Sequence, residues 1–217
     1  LQGPKANDVA SQVFGDWVKD LKFFHFRRFT HEGIPLVLCR SGWSKQGGFE
    51  LFLEDETKGE QLWNLIWDAG EQFGIRAGGP NNVERMENFL FSWGSDAGRD
   101  CDPYESGIGN YVDLGAEHDF IGKAALKNKR AEGPDRELKG LLIEGGPVDP
   151  NPAPVGLRNP NGSYAGQTRI VCHSRKYQRN LGLAVVEVPH NLPGTKVQVE
   201  TSDGWRPAIV ADLPFDL

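Results

Sequence analysis

From Arg136 onward the chain is a series of short runs: Leu138 to Glu144, Tyr164 to Cys172, Leu181 to Val188, Lys196 to Thr201 and Arg206 to Ala211. Asn161-Gly162 and Asp203-Gly204 punctuate them, and such dipeptides favour the tight turns that join antiparallel strands. Segments this short bury their apolar residues only by pairing with one another, so this half of the chain reads as a small all-β barrel or sandwich. A proline-rich loop, Gly145 to Pro154, is long enough to border a binding cleft.

The earlier half has a different texture. Ala6, Val9, Ala10, Val13 and Phe14 recur at helical spacing behind Pro4, and Leu62, Leu65, Ile66, Ala69 and Phe73 form a second stripe that Gly74 ends. Between them Lys22 to Phe29, Pro35 to Arg40 and Phe49 to Leu53 have strand character, with Thr30 to Gly33 as the first turn. Helix, strand, strand, strand, helix predicts an α+β sandwich. Val83, Met86, Leu90 and Trp93 predict a further helix from Val83 to Trp93, with Glu84, Arg85 and Glu87 on its exposed side. Ile121 to Arg130 predicts a short basic helix inside a polar connector. The expected division is residues 1–100, a connector at 101–135 and a β domain at 136–217.

A net charge of −6 disfavours nucleic acid and anionic membranes as general partners, and no apolar run is long enough to span a bilayer. Alternation in Phe23 to Phe29 puts Phe24 and Phe26 on one face, where core packing is a better account than base stacking. Cys39, Cys101 and Cys172 are far apart and form no C-x-x-C, which predicts reduced thiols and a cytoplasmic setting. No histidine stands at metal-ligand spacing, so no metal site is expected. Gly107-Ile108-Gly109 lacks the third glycine of a dinucleotide fingerprint.

The densest chemistry lies in Ser41-Gly42-Trp43-Ser44-Lys45-Gln46-Gly47-Gly48-Phe49-Glu50, between two predicted strands. Trp43 offers a face for a cation, Lys45 a charge for a carboxylate, and Glu50 an acceptor for paired N–H donors. The residues alone allow an ordinary glycine-rich hairpin as readily as a binding loop.

Leu1-Gln2-Gly3-Pro4-Lys5-Ala6, Gly48-Phe49-Glu50, Glu84-Arg85-Met86-Glu87 and Trp93-Gly94-Ser95-Asp96 resemble the glycine-cleavage T-protein (aminomethyltransferase) superfamily, almost end to end. The resemblance implies a ferredoxin-like folate-binding portion followed by a β-barrel, with tetrahydrofolate as cofactor. It places Glu50 against the pterin, and Asn81 where aminomethyltransferases use an arginine in folate contact. Those enzymes carry Gly-Tyr-Thr-Gly-Glu where this chain has Gly42-Trp43-Ser44-Lys45-Gln46. The central loop, with Gly78-Gly79-Pro80-Asn81-Asn82-Val83-Glu84-Arg85, Asp102-Pro103-Tyr104-Glu105 and Asp212-Leu213-Pro214-Phe215, is most similar to the branch that moves a methyl group from a sulfonium zwitterion to tetrahydrofolate. Trp43 and Lys45 are then the substrate-side candidates, and Glu50 and Asn81 the cofactor-side ones. The resemblance also implies an upstream portion that holds the rest of the folate domain. Another methyl or aminomethyl donor on the same platform, a non-catalytic folate-binding module, and a homodimer stay open at this point.

Overall fold

The structure, a computed structural model, describes residues 1–79, 81–151 and 153–217; Pro80 of the second glycine-rich loop and Pro152 of the proline-rich loop lie outside these. It divides into two compact units, Leu1–Asn81 and Asn82–Leu217.

In the first unit, α1 (Ala6–Phe14) leads through a short 3-10 turn to β1 (Phe26–His31), β2 (Ile34–Cys39), β3 (Glu50–Leu53) and α2 (Gly59–Glu71). The strands form an antiparallel sheet in the order β1-β2-β3. Strict alternation in β2 sends Ile34, Leu36 and Leu38 into a core with Ala6, Ala10, Phe14, Val18 and Leu62, as the two helical stripes require. Phe29 joins them edge-on to Phe14 and Trp17, with centroids 5.5 and 5.1 Å away. The opposite face of the sheet is open, with Phe26 68% and Phe52 55% exposed. This corrects the aromatic reading: Phe23, Phe24 and Phe26 are all exposed rather than core residues. The strand begins only at Phe26, because Phe24 takes a left-handed φ of 60° that breaks the alternation.

The second unit opens with α3 (Asn82–Glu87), passes through irregular chain to α4 (Lys123–Glu132), and ends in a barrel. Its strands are β4 (Arg136–Ile143), β5 (Gly156–Arg158), β6 (Tyr164–Ser174), β7 (Arg179–Glu187), β8 (Lys196–Thr201) and β9 (Gly204–Ala211), closed in the order β4-β7-β6-β5-β8-β9. The α+β class and the barrel hold. Leu141, Val171, Ala184, Val186, Val199 and Val210 fill the interior. Leu138, Ile170, Cys172, Leu181, Leu183 and Val185 pack on the other side with Met86 of α3. Burial on both faces explains why β7 reads as one continuous apolar run. Burial also pushes the Cys172 thiol up to about 12. The proline-rich loop is pinned by Asn180, whose Nδ2 donates to the carbonyls of Gly145 and Gly146 at 3.2 and 2.9 Å and whose Oδ1 accepts from the Val148 amide at 3.1 Å.

The predicted helix to Trp93 stops at Glu87, and Arg85 is buried, not exposed. Its guanidinium donates to Asp96 Oδ2 at 2.6 Å and to the Leu90 carbonyl at 3.3 Å, and the Ser92 amide donates to Asp96 at 2.8 Å. A buried cation needs those acceptors around it, and the chain after Glu87 leaves the helical path to supply them. Asp96→Ala strands that charge and should cost about 3–5 kcal/mol, read as a lowered urea midpoint. A loss below ~1 kcal/mol would show that the pair is not what organises this turn.

Candidate functional site

Strand β2 delivers Arg40 and Ser41 to one end of the loop, and β3 takes up Glu50 at the other. Phe49, fully buried in the first-unit core, anchors the exit. The Arg40 guanidinium lies over its ring, 4.5 Å from the centroid, and reaches back to the Asn7 side-chain oxygen in α1. One end of the loop is therefore fixed by hydrophobic burial, and the fixed end is next to the carboxylate.

A second restraint comes from the start of the chain. Leu1 to Gly3 lies antiparallel to the loop exit, with Gln2 opposite Gly48. The Phe49 amide donates to the Leu1 carbonyl at 2.8 Å, and the Gly3 amide to the Gly47 carbonyl at 2.9 Å. Gly48 makes this approach possible at a φ of 139°, because a Cβ there would lie 2.3 Å from the Leu1 oxygen. Gly42 is constrained in the same way by the Gln2 side chain, which a Cβ would meet at 2.0 Å.

Glu50 is exposed, and Ser41 Oγ donates to its Oε2. It sits on the open face of the sheet beside Cys39, its register partner across β2 and β3. Trp43 is 41% exposed, and Lys45 is exposed with a left-handed φ of 55°. A non-glycine residue in that region costs on the order of 1 kcal/mol, and such strain clusters where a chain presents a side chain for use. The structure thus gathers Trp43, Lys45 and Glu50 on one restrained loop. Asn81 belongs to a different segment, exposed just ahead of α3 at the boundary of the two units. The aromatic, cationic and anionic side chains of the loop can recognise a small molecule that carries both charges next to a hydrogen-bonding ring.

Gln2 and Arg40 carry no local signal in the sequence, because their partners lie far away along the chain, beyond the reach of any periodicity. The glycines at 42 and 48 were the available signal, since each marks a close approach without naming what approaches. A separate cleft of about 500 Å³, lined by Tyr104, Asn110, Lys129, Arg130 and Glu137 among others, lies in the second unit and contains none of the predicted residues. Among the described residues no three His, Cys, Asp or Glu side chains gather as metal ligands, and no helix is long and apolar enough to cross a membrane.

Residues 1–116 match the GCVT N-terminal domain, and residues 136–216 match the glycine cleavage T-protein C-terminal barrel domain. The chain belongs to the glycine cleavage T-protein family. Dimethylsulfoniopropionate demethylase DmdA of Ruegeria pomeroyi is 42% identical over 98% of this chain and 57% of its own length. An aminomethyltransferase of Bacillus cereus is 31% identical over 99% of this chain and 58% of its own. The crystal structure of glycine cleavage system aminomethyltransferase T from Bartonella henselae has the same fold, with a TM-score of 0.80 at 21% identity over 99% of this chain and 58% of that one. The chain therefore spans just over half the length of these relatives.

The glycine contacts give a direct test of the loop geometry. Gly48→Ala should release the Leu1–Gly3 segment and speed amide exchange at Phe49, whereas Gly47→Ala, with open space around its Cβ, should bring only left-handed backbone strain of roughly 1–2 kcal/mol. Equal exchange rates at Phe49 in the two variants would contradict the packing described.

Proposed function

We propose that the chain forms the C-terminal part of a tetrahydrofolate-dependent demethylase that moves a methyl group from dimethylsulfoniopropionate to tetrahydrofolate, leaving 3-methylthiopropionate and methyltetrahydrofolate. The observation that carries this reading is the 42% identity to a protein of that name along 98% of the chain, together with the loop that holds Trp43, Lys45 and Glu50. The share of the relatives' length that the chain covers supports a longer working enzyme, and three free cysteines suit a cytoplasmic setting for it. Within it residues 1–100 form the folate side, 101–135 a connector and 136–217 the barrel domain.

The residues present suit the acceptor. Glu50 is exposed at a strand start with one carboxylate oxygen held by Ser41, which suits it to receive N–H donors from a pterin ring. Bound tetrahydrofolate supplies the ring nitrogen that accepts the methyl group. Trp43 provides the face against which a sulfonium is attracted and its neutral thioether product is not, which favours product release. Lys45 meets the donor carboxylate, and the two together favour a zwitterion over an uncharged methyl donor. A sulfonium is already a good leaving group, so these side chains act by alignment, which can supply up to ~7–11 kcal/mol of a barrier.

Trp43→Leu should weaken the donor far more than tetrahydrofolate, and Lys45→Met should raise KM for the donor but not for an analogue without the carboxylate. Isothermal titration and steady-state kinetics on the intact enzyme read both. Equal losses for donor and folate at Trp43, or an equal penalty for the analogue at Lys45, would remove the residue concerned from the donor site.

Glu50→Ala should weaken tetrahydrofolate by roughly tenfold to a hundredfold, the value of about 1.5–3 kcal/mol for a hydrogen bond to a charged group, and Glu50→Gln should lose less. Unchanged affinity in Glu50→Ala would take the loop out of the folate site.

A further inference from the structure

We infer that Gln2 is the positioning residue of the ligand loop, fixing through Ser41 the carboxylate of Glu50; this rests on the reading of the loop as a folate site. In plain strand pairing the side chain of residue 2 would take no part. Here the carboxamide folds across the base of the loop and spends both kinds of hydrogen-bonding capacity on it. Its Nε2 donates to the carbonyls of Ser41 and Phe49 at 3.1 and 3.2 Å, and its Oε1 accepts from Ser44 Oγ at 2.9 Å. One amide thus ties together the entry, the middle and the exit of the loop.

The connection to the chemistry is short. Gln2 holds the backbone of Ser41, and the hydroxyl of Ser41 donates to Glu50 Oε2. Gln2 also holds the carbonyl of Phe49, the residue that precedes Glu50. The loop is carved to receive this side chain, because a Cβ on Gly42 would lie 2.0 Å from Gln2 Oε1 and 2.3 Å from its Nε2. The geometry also selects the carboxamide. A glutamate would turn oxygen toward two carbonyls, and a methionine would fill the space without bonding to anything. Gln2 is itself exposed, so each bond competes with water and contributes little to global stability. What the three bonds together decide is where Ser41, Ser44 and Glu50 stand.

The test uses Gln2→Met and Gln2→Glu in the intact enzyme, read in two ways. Amide exchange at Phe49 should speed up about tenfold in both variants, with the β1–β2 amides and the urea midpoint unchanged. Tetrahydrofolate affinity should fall about tenfold in Gln2→Met, and the same substitution should have almost no effect in a Glu50→Ala background, a non-additivity that a merely stabilising residue does not produce. Wild-type exchange at Phe49 in both variants overturns the inference. So does an additive loss in the Glu50→Ala background, or a Gln2→Glu variant that matches wild type. If the intact wild-type enzyme fails to bind tetrahydrofolate, the functional reading fails by itself, and the exchange data still decide whether Gln2 fixes the loop.

Discussion

The burial of Phe49 is the contact on which the site depends. The ring fills the first-unit core between α1 and the sheet, and Arg40 closes over it while bonding back to α1. Burying a phenylalanine is worth about 1.5–3 kcal/mol, enough to keep the neighbouring residue from wandering. Glu50 is that neighbour, so an exposed carboxylate inherits its position from a core residue. The segment Leu1 to Gly3 supplies the second constraint, because it reaches the loop only where Gly42 and Gly48 leave room. Burial and backbone pairing thus converge on one short stretch, and the aromatic and charged side chains between them project from a restrained base.

The barrel follows a different logic. Strands β6 and β7 are buried on both faces, inside by the barrel core and outside by α3 and the chain termini of the unit, so their sequence is more apolar than a one-sided sheet would need. Buried polar side chains on these strands are tied to fixed partners, as Thr168 Oγ1 is to the Val155 backbone and Ser174 Oγ to Glu87. Asn180 bonds to the Val148 amide and to the carbonyls of Gly145 and Gly146, and His173 Nδ1 stands 2.8 Å from its oxygen. That arrangement fixes a proline-rich loop to a rigid wall.

Much of this was legible in the sequence. Lys196 to Thr201 is a strand with the predicted bounds, and the other barrel strands differ by a few residues at their ends, because turn dipeptides mark them locally. Strand β5 was invisible, since the three residues Gly156–Arg158 cannot show alternation. The helix predicted to Trp93 ended early and Arg85 turned inward, because a partner eleven positions away, Asp96, outweighed the local period. Phe24 broke the strand pattern through a backbone conformation that no propensity anticipates for phenylalanine. At the loop, the candidate residues could be named from their chemistry, but what holds them could not. Gln2 and Ser41 are 39 positions apart, and only the two glycine sockets hinted that something comes close.

Where tetrahydrofolate touches the chain decides whether the loop is the folate site. A titration followed by ¹H–¹⁵N spectra of the isotopically labelled protein detects even weak binding and assigns it to individual amides. A pterin held at Glu50 predicts that the largest shifts fall within residues 41–50 and in Gln2 and Gly3, with the barrel strands β4 to β9 little changed. Shifts confined to the barrel, or to the cleft around Tyr104 and Arg130, would contradict it.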